Sequence, residues 1–290
     1  MNVDQSVPLP VTRKDNLRAS VWLVADMSLN IWALSIVKAM GLDYGATQLV
    51  FLRASVGLLL VLPWAWRERA AFLTLERLPL HAFRVVLSAI TLALSFFAIA
   101  RVPFALMSAI GFTRPILLMV MAALILREHI AKPRWIAALV GLTGALVALN
   151  PSQTSFSWGL AAVVATVVGG TLAIIITRKL KGTPAVVMML FYTAGLVLFA
   201  APFAWVDWTV VEAAHWPLLL AIGLFAQSAQ FCFLKAHWLG EAGVLGPVSY
   251  LSLILSTGAG YFFFGEVPGF SLIIGAVIIL GAAWYISRSA

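Results

Sequence analysis

Charge is scarce in this sequence, and most of it has one sign. Only 10% of the 290 residues are Asp, Glu, Lys or Arg, and 11 acids stand against 19 bases. Soluble domains carry roughly a quarter charged residues. With 62% hydrophobic residues and a mean hydropathy of +1.02, a soluble fold of this length has nowhere to hide its apolar surface, so lipid must be the solvent. Cysteine is almost missing as well. Cys232 stands alone inside an apolar run, which excludes an intrachain disulfide and a thiolate metal cluster and leaves a small core residue. No Walker motif is present, and no polar stretch is large enough for a nucleotide-binding domain, which excludes a nucleotide-driven pump. HExxH, GxSxG and paired intramembrane aspartates are missing too, so neither an enzyme nor a bound cofactor or metal is expected. Residues 1–18 are polar, and the apolar stretch after them is too long for a signal-peptide core, so the first helix is expected to stay as its own insertion signal.

The bases that are present carry a net charge of +8 and an isoelectric point near 10.1. They gather in short gaps between apolar runs, a placement that suits topology and anionic headgroups and not nucleic acid. A span needs about 20 apolar residues at about 1.5 Å each. Ten such runs follow: 19–40, 47–66, 80–101, 104–126, 133–149, 157–178, 185–205, 215–239, 243–264 and 269–286. Only Val102 and Pro103 part the third from the fourth; without a turn there the two would fuse into one helix of 47 residues. With a cytoplasmic N-terminus, 15 Lys and Arg residues fall inside, Arg84 and Arg178 among them, and only Lys38 and Arg101 outside. The remaining two, Arg53 and Arg114, lie within spans. Both termini are therefore expected in the cytoplasm of a cell with the protein in its inner (plasma) membrane.

An offset of about 138 residues superimposes one half of the chain on the other. Glu128 falls on Glu266, Gly57 on Gly195 and Ala98 on Ala236; small shifts pair Trp22 with Trp158, Pro63 with Pro202 and Gly141 with Gly275. The expected division is a cytoplasmic tail (1–18), a first five-helix repeat (19–149), an external linker (150–156) and a second repeat (157–287). Five is odd, so the second repeat enters the membrane from the opposite side. Inverted repeats of this kind mark carriers that work by alternating access. The expected fold class is an all-α membrane protein of ten helices in two inverted five-helix repeats.

The fourth run reads ALMSAIGFTRPILLMVMAALILRE from Ala105 to Glu128 and leads to a glycine-rich helix ending at Gly144. The ninth reads GPVSYLSLILSTGAGYFFFGE from Gly246 to Glu266 and leads to Gly275 and Gly281. A helix with an interior proline, a closing Glu and a glycine-rich successor resembles the EamA-type unit of the drug/metabolite transporter superfamily over nearly the whole chain, about 20–286. The resemblance is nearest to ten-helix exporters of aromatic and other amino acids, and it implies a central cavity with helices 5 and 10 at the periphery. One departure stands out: Pro115 faces Leu253 in the repeat, and Pro247 lies six residues earlier, so if the prolines are hinges the halves bend at different depths.

Polar residues inside spans are costly and face a bundle interior or a wet cavity. Asn30 lies one turn after Asp26. Ser88, Thr91 and Ser95 form one stripe, as do Gln227 and Gln230, and Ser108, Gly111, Phe112 and Pro115 share a face. Ser249 and Tyr250 are the repeat counterparts of Gly111 and Phe112, and Thr166 of Asn30. A cavity lined from helices 1, 3, 4, 6, 8 and 9 is expected. Its substrate-binding candidates are Asn30, Ser88, Thr91, Ser95, Ser108, Phe112, Arg114, Thr166, Gln227, Gln230, Ser249 and Tyr250, with Pro115 and Pro247 as hinges. Each has a structural alternative. Arg114 either clamps a carboxylate or neutralises Asp26; Asp26 either carries a proton or is that charge partner. The amides either bind substrate or bridge helices. Phe112 and Tyr250 either stack on a substrate ring or act as gates, or else, like most aromatics in spans, face lipid or fill the core. Glu128 and Glu266, at span ends, suit a helix-connection role. A lining of amides, hydroxyls and aromatic faces suits an amphipathic zwitterion, whereas a di-anion would call for several inward Lys or Arg residues.

The leading expectation is a monomeric secondary transporter, in contact with membrane lipid, that exports amino acids, aromatic and other neutral ones included. A broad drug or metabolite exporter on the same scaffold is the alternative. An intramembrane enzyme and a membrane scaffold are remote ones.

Overall fold

The computed structural model describes residues 12–40, 44–73, 77–99, 101–102, 110–149, 157–206, 208–265, 267 and 269–289, and every regular element among them is helical. In chain order these are α1 (Arg13–Ala39), α2 (Ala46–Arg67), α3 (Ala70–Leu73), α4 (Leu78–Ile99), α5 (Arg114–Ile125) and α6 (Lys132–Leu149). The second half contributes α7 (Trp158–Lys179), α8 (Ala185–Val206), α9 (Trp216–Leu239), α10 (Ala242–Ser249), α11 (Leu251–Phe264) and α12 (Phe270–Ser289). Among the described residues 7 helical stretches are long and apolar enough to cross a membrane, and shorter apolar helices lie at Arg114–Ile125 and Phe270–Tyr285.

Local chemistry sets the ends. Thr12 opens α1: its hydroxyl donates to the Asp15 carboxylate at 2.7 Å and accepts from the Asp15 amide at 3.2 Å, a reciprocal cap. The helix therefore starts at residue 13, inside the tail expected to run to residue 18. The Ser157 hydroxyl caps α7 by accepting from the Leu160 amide at 3.1 Å. The third run ends early. α4 stops at Ile99, and the amides of Arg101 and Val102 both turn back to the Ala98 carbonyl at 2.9 Å. Residues 103–109, Ser108 among them, lie outside the described residues, as does Glu266.

The packing of helix on helix is the same when the halves are exchanged. α1 lies along α9, and its counterpart pair α4 and α7 lie along each other; α2 packs on α8 and α6 on α12, each pairing a helix with its own repeat partner. The principal contacts thus join one half to the other. Small residues permit them: a Cβ on Gly144 would stand 2.9 Å from the Gly275 carbonyl oxygen, so α6 and α12 cross backbone to backbone.

The two discontinuous helices obey the same symmetry. The fourth run turns at Phe112–Thr113 before α5 begins, and the ninth breaks at Tyr250 between α10 and α11. Phe112 and Tyr250 are 138 residues apart. The halves therefore bend at the same depth, which corrects the expectation drawn from the prolines. Pro115 sits in the first turn of α5, after its break, where a missing amide hydrogen costs little; Pro247 lies within α10, before its break. The following ends match as well. Arg127 at φ +57° and Gly265 at φ +65° close α5 and α11 in the left-handed region, again 138 residues apart.

Candidate functional site

Between the halves lies a cavity of about 460 Å³. α1 contributes Asp26 and Asn30, α2 Arg53, and α4 the stripe Arg84, Ser88, Thr91, Leu92 and Ser95. α5 contributes Arg114; α7 lines a wall with Thr166, Gly170, Ala173, Ile174 and Thr177; α8 adds Tyr192 and Leu196, and α9 adds Gln230 and Phe233. Eight residues singled out from sequence thus meet in one space: Asp26, Asn30, Ser88, Thr91, Ser95, Arg114, Thr166 and Gln230. Helical periodicity explains the wall of α4, since residues three and four apart share a face.

Four others are placed elsewhere. Phe112 and Tyr250 stack on each other, with ring centroids 6.0 Å apart and planes at 26°. Tyr250 is fully buried in a cluster with Ala145, Ala148 and Ile279 of α6 and α12. The Ser249 hydroxyl is taken up locally by the Gly246 carbonyl at 2.7 Å. The Gln227 side-chain oxygen accepts from the Thr193 hydroxyl at 3.2 Å and faces Gly57, where any side chain would collide with it. These aromatics and this amide join helices. Pro115 is buried, and the Pro115 carbonyl lies close to Gly246 on the opposite discontinuous helix.

The ion pair between Asp26 and Arg114 does not form. Asp26 instead accepts from the Asn30 side-chain amide at 2.7 Å, one turn along the same helix. The Arg114 guanidinium lies against Gly170, whose lack of a side chain leaves it room, and its Nε is buried without a hydrogen-bond partner.

Sequence reasoning missed Arg84, Tyr192, Thr177 and Phe233 as lining residues. Arg84 was grouped with the loop cations because it lies four residues into its run. It is in fact 2% exposed. It donates to the Met188 carbonyl at 2.9 Å and to the Thr177 hydroxyl at 3.4 Å, and stands 5.6 Å from the centroid of the Tyr192 ring. Its position seven residues before Thr91 on the polar stripe was the available signal.

Beside the Thr177 end of the cavity, a polar network ties the halves together. Arg178, following Thr177, is ion-paired with Glu128 and donates to the Gly240 carbonyl at 3.0 Å. The other Glu128 oxygen accepts from the Ala242 amide at 3.1 Å. Arg134 is ion-paired with Glu241, which also exchanges two hydrogen bonds with the Asn16 side chain. Glu128 connects helices, as its place at a span end suggested.

An all-helical membrane bundle whose halves exchange by symmetry around a polar cavity defines a secondary transporter. The chain belongs to the EamA-like transporter family, which matches it twice, over residues 22–150 and 155–288. It is therefore a multi-pass integral protein of the inner (plasma) membrane. It is similar to a pseudopaline exporter of Pseudomonas aeruginosa, at 29% identity over 95% of this chain and 98% of the relative. It is also similar to an S-adenosylmethionine uptake transporter of Rickettsia prowazekii (26% identity, 87% and 86%) and a riboflavin transporter of Vibrio cholerae (26%, 94% and 93%). A solved crystal structure shares the fold at 19% identity, with a TM-score of 0.83 over 95% of this chain and 98% of that one. The superfamily read from the motifs stands. The narrower kinship with aromatic amino-acid exporters is not what these relatives represent, since they carry three chemically different metabolites.

Proposed function

We propose that this protein is a carrier for a polar small metabolite, moved by alternating access through the cavity between its halves. The observation that carries this reading is the cavity itself, where eight polar or charged residues predicted from sequence converge. The metabolite reading is favoured over export of aromatic and neutral amino acids for a specific reason. Phe112 and Tyr250 are engaged with each other away from the cavity wall, which keeps Tyr192 and Phe233 as its aromatic rings, and three arginines stand in it. The relatives, with their differing cargoes, support the broader class. Ten spans in two inverted repeats, divided near 150–156, complete the reading, with both termini cytoplasmic. The network around Glu128 and Arg178 then closes the cytoplasmic side.

Efflux from proteoliposomes tests it. Vesicles containing the full-length protein are loaded with a pooled extract of small polar metabolites, and the medium is followed by mass spectrometry. At least one compound should leave faster than from protein-free vesicles, and Arg114→Gln should abolish that difference while still inserting and folding. Efflux unchanged by Arg114→Gln would remove the cavity as the route. A protease-sensitive tag after Ala290 should be cut only from the cytoplasmic side; cleavage from outside would overturn the orientation.

A further inference from the structure

If the cavity is the substrate site, its charges say what kind of molecule it takes. Arg53, Arg84 and Arg114 line it, and Asp26 is the one carboxylate among its lining residues. Among the described residues, Arg134 and Arg178 are ion-paired with Glu241 and Glu128 outside the cavity, while none of the three cavity arginines has a carboxylate partner. Arg84 is held only by neutral acceptors; the Nε atoms of Arg84 and Arg114 are buried and unpartnered, as is that of Arg178, but Arg178 has the Glu128 carboxylate and they have none among the described residues. Guanidinium groups withdrawn from water need an anion nearby. Among the described residues no carboxylate pairs with them, and a planar guanidinium fork matches the two oxygens of a carboxylate, as it does those of a phosphate, better than a point anion.

The arginines also stand too far apart to share one acid group. Arg84 meets α7 at Thr177 and Arg114 meets it at Gly170. Those positions are two helical turns apart, or about 10 Å along the axis. One carboxylate cannot bridge that gap, so each arginine calls for its own. Asp26 is the opposite case. Its Oδ1 accepts from Asn30, no cationic side chain pairs with it among the described residues, and it faces the same space. It is placed to meet a positive charge brought in from outside.

We infer that the cavity takes a small acid bearing at least two carboxylates and one cationic nitrogen, the carboxylates on Arg84 and Arg114 and the nitrogen on Asp26 and Asn30. Resting on the carrier reading, this replaces the simple zwitterion with an amino polycarboxylate.

Calorimetry on the full-length protein in lipid nanodiscs tests the class with four probes. Nitrilotriacetate has three carboxylates and a protonated nitrogen; propane-1,2,3-tricarboxylate has the carboxylates without the nitrogen; phenylalanine and lysine represent neutral and cationic amino acids. Nitrilotriacetate should bind at least about ten-fold more tightly than phenylalanine or lysine. Arg84→Gln and Arg114→Gln should each weaken it by about ten-fold or more, and Arg84→Lys, which keeps the charge but not the fork, should recover only part of the loss. Asp26→Asn should weaken nitrilotriacetate and leave propane-1,2,3-tricarboxylate unchanged or tighter, a split that general damage to the fold does not produce. If phenylalanine or lysine binds as tightly as nitrilotriacetate while metabolite efflux still depends on Arg114, the charge inference falls and the carrier reading stands. If no probe binds and efflux ignores Arg114→Gln, both fall together.

Discussion

Tyr250 shows how a residue with the chemistry of a binding site can serve the fold alone. Its ring is fully buried, and its hydroxyl has no hydrogen-bond partner among the described residues. A buried, unsatisfied hydroxyl costs about 1–3 kcal/mol relative to its hydrated form. Tyr250→Phe removes that cost and keeps the ring against Phe112 and the cluster of α6 and α12. The substitution should therefore raise stability by about 1 kcal/mol, seen as a higher melting temperature in detergent, and leave transport within about two-fold of wild type. A loss of transport with intact folding would return Tyr250 to the substrate path. Arg84 makes the converse point. Its sequence position near a span end reads as a loop cation, because composition tells depth along a helix but not which neighbour the side chain meets. Only the carbonyl of Met188 and the hydroxyl of Thr177, more than 90 residues away in sequence, turn it into the cavity.

At the scale of helices, apolar runs located the described elements closely, because a segment crossing lipid must satisfy its backbone internally and leaves a long unbroken signal. The breaks were less legible. Prolines suggested unequal bends, but the shared bend lies at Phe112–Thr113 and Tyr250, where nothing in the residue types marks it. Glycine positions were legible as repeats, though what they pack against was not. Gly275 and Gly281 look alike in sequence. A Cβ on Gly275 would stand 2.9 Å from the Ala148 amide nitrogen, whereas one on Gly281 meets nothing within 4 Å. Gly275→Val forces α6 and α12 apart and should cost about 1–3 kcal/mol or more, measured as a lower melting temperature. Gly281→Val, facing open space, should change it little. Equal effects would mean that helix propensity, not the backbone crossing, sets the cost.

For the molecule as a whole, the network beneath the cavity is the element that alternating access must break and remake. Asn16, Glu128 and Arg134 belong to the first half; Arg178, Gly240, Glu241 and Ala242 belong to the second. Apart from the bond from Arg178 to the Gly240 carbonyl, which lies within the second half, every bond named among them crosses between halves, so a rocking motion that opens this end must give up the crossing bonds together. Such a cluster acts as a latch: its loss shifts the population toward the state open at this end without touching the substrate groups. Glu128→Gln removes the charge from the Arg178 pair, and the partially buried guanidinium then lacks its anion. A cysteine placed at Ser88, on the cavity wall, reports the shift in a background where Cys232 is replaced by alanine. In inside-out vesicles, which present this end to the medium in the proposed orientation, Glu128→Gln should raise its rate of labelling by a membrane-impermeant maleimide by about ten-fold, the factor that a change of about 1.4 kcal/mol between the two states produces. The exchanged pair Glu128→Arg with Arg178→Glu should bring the rate back toward that of the parent, since it restores the attraction with the charges reversed. A labelling rate indifferent to Glu128→Gln would show that the packing of α1 on α9 and of α4 on α7 holds this end closed, and that the ion pairs merely decorate it.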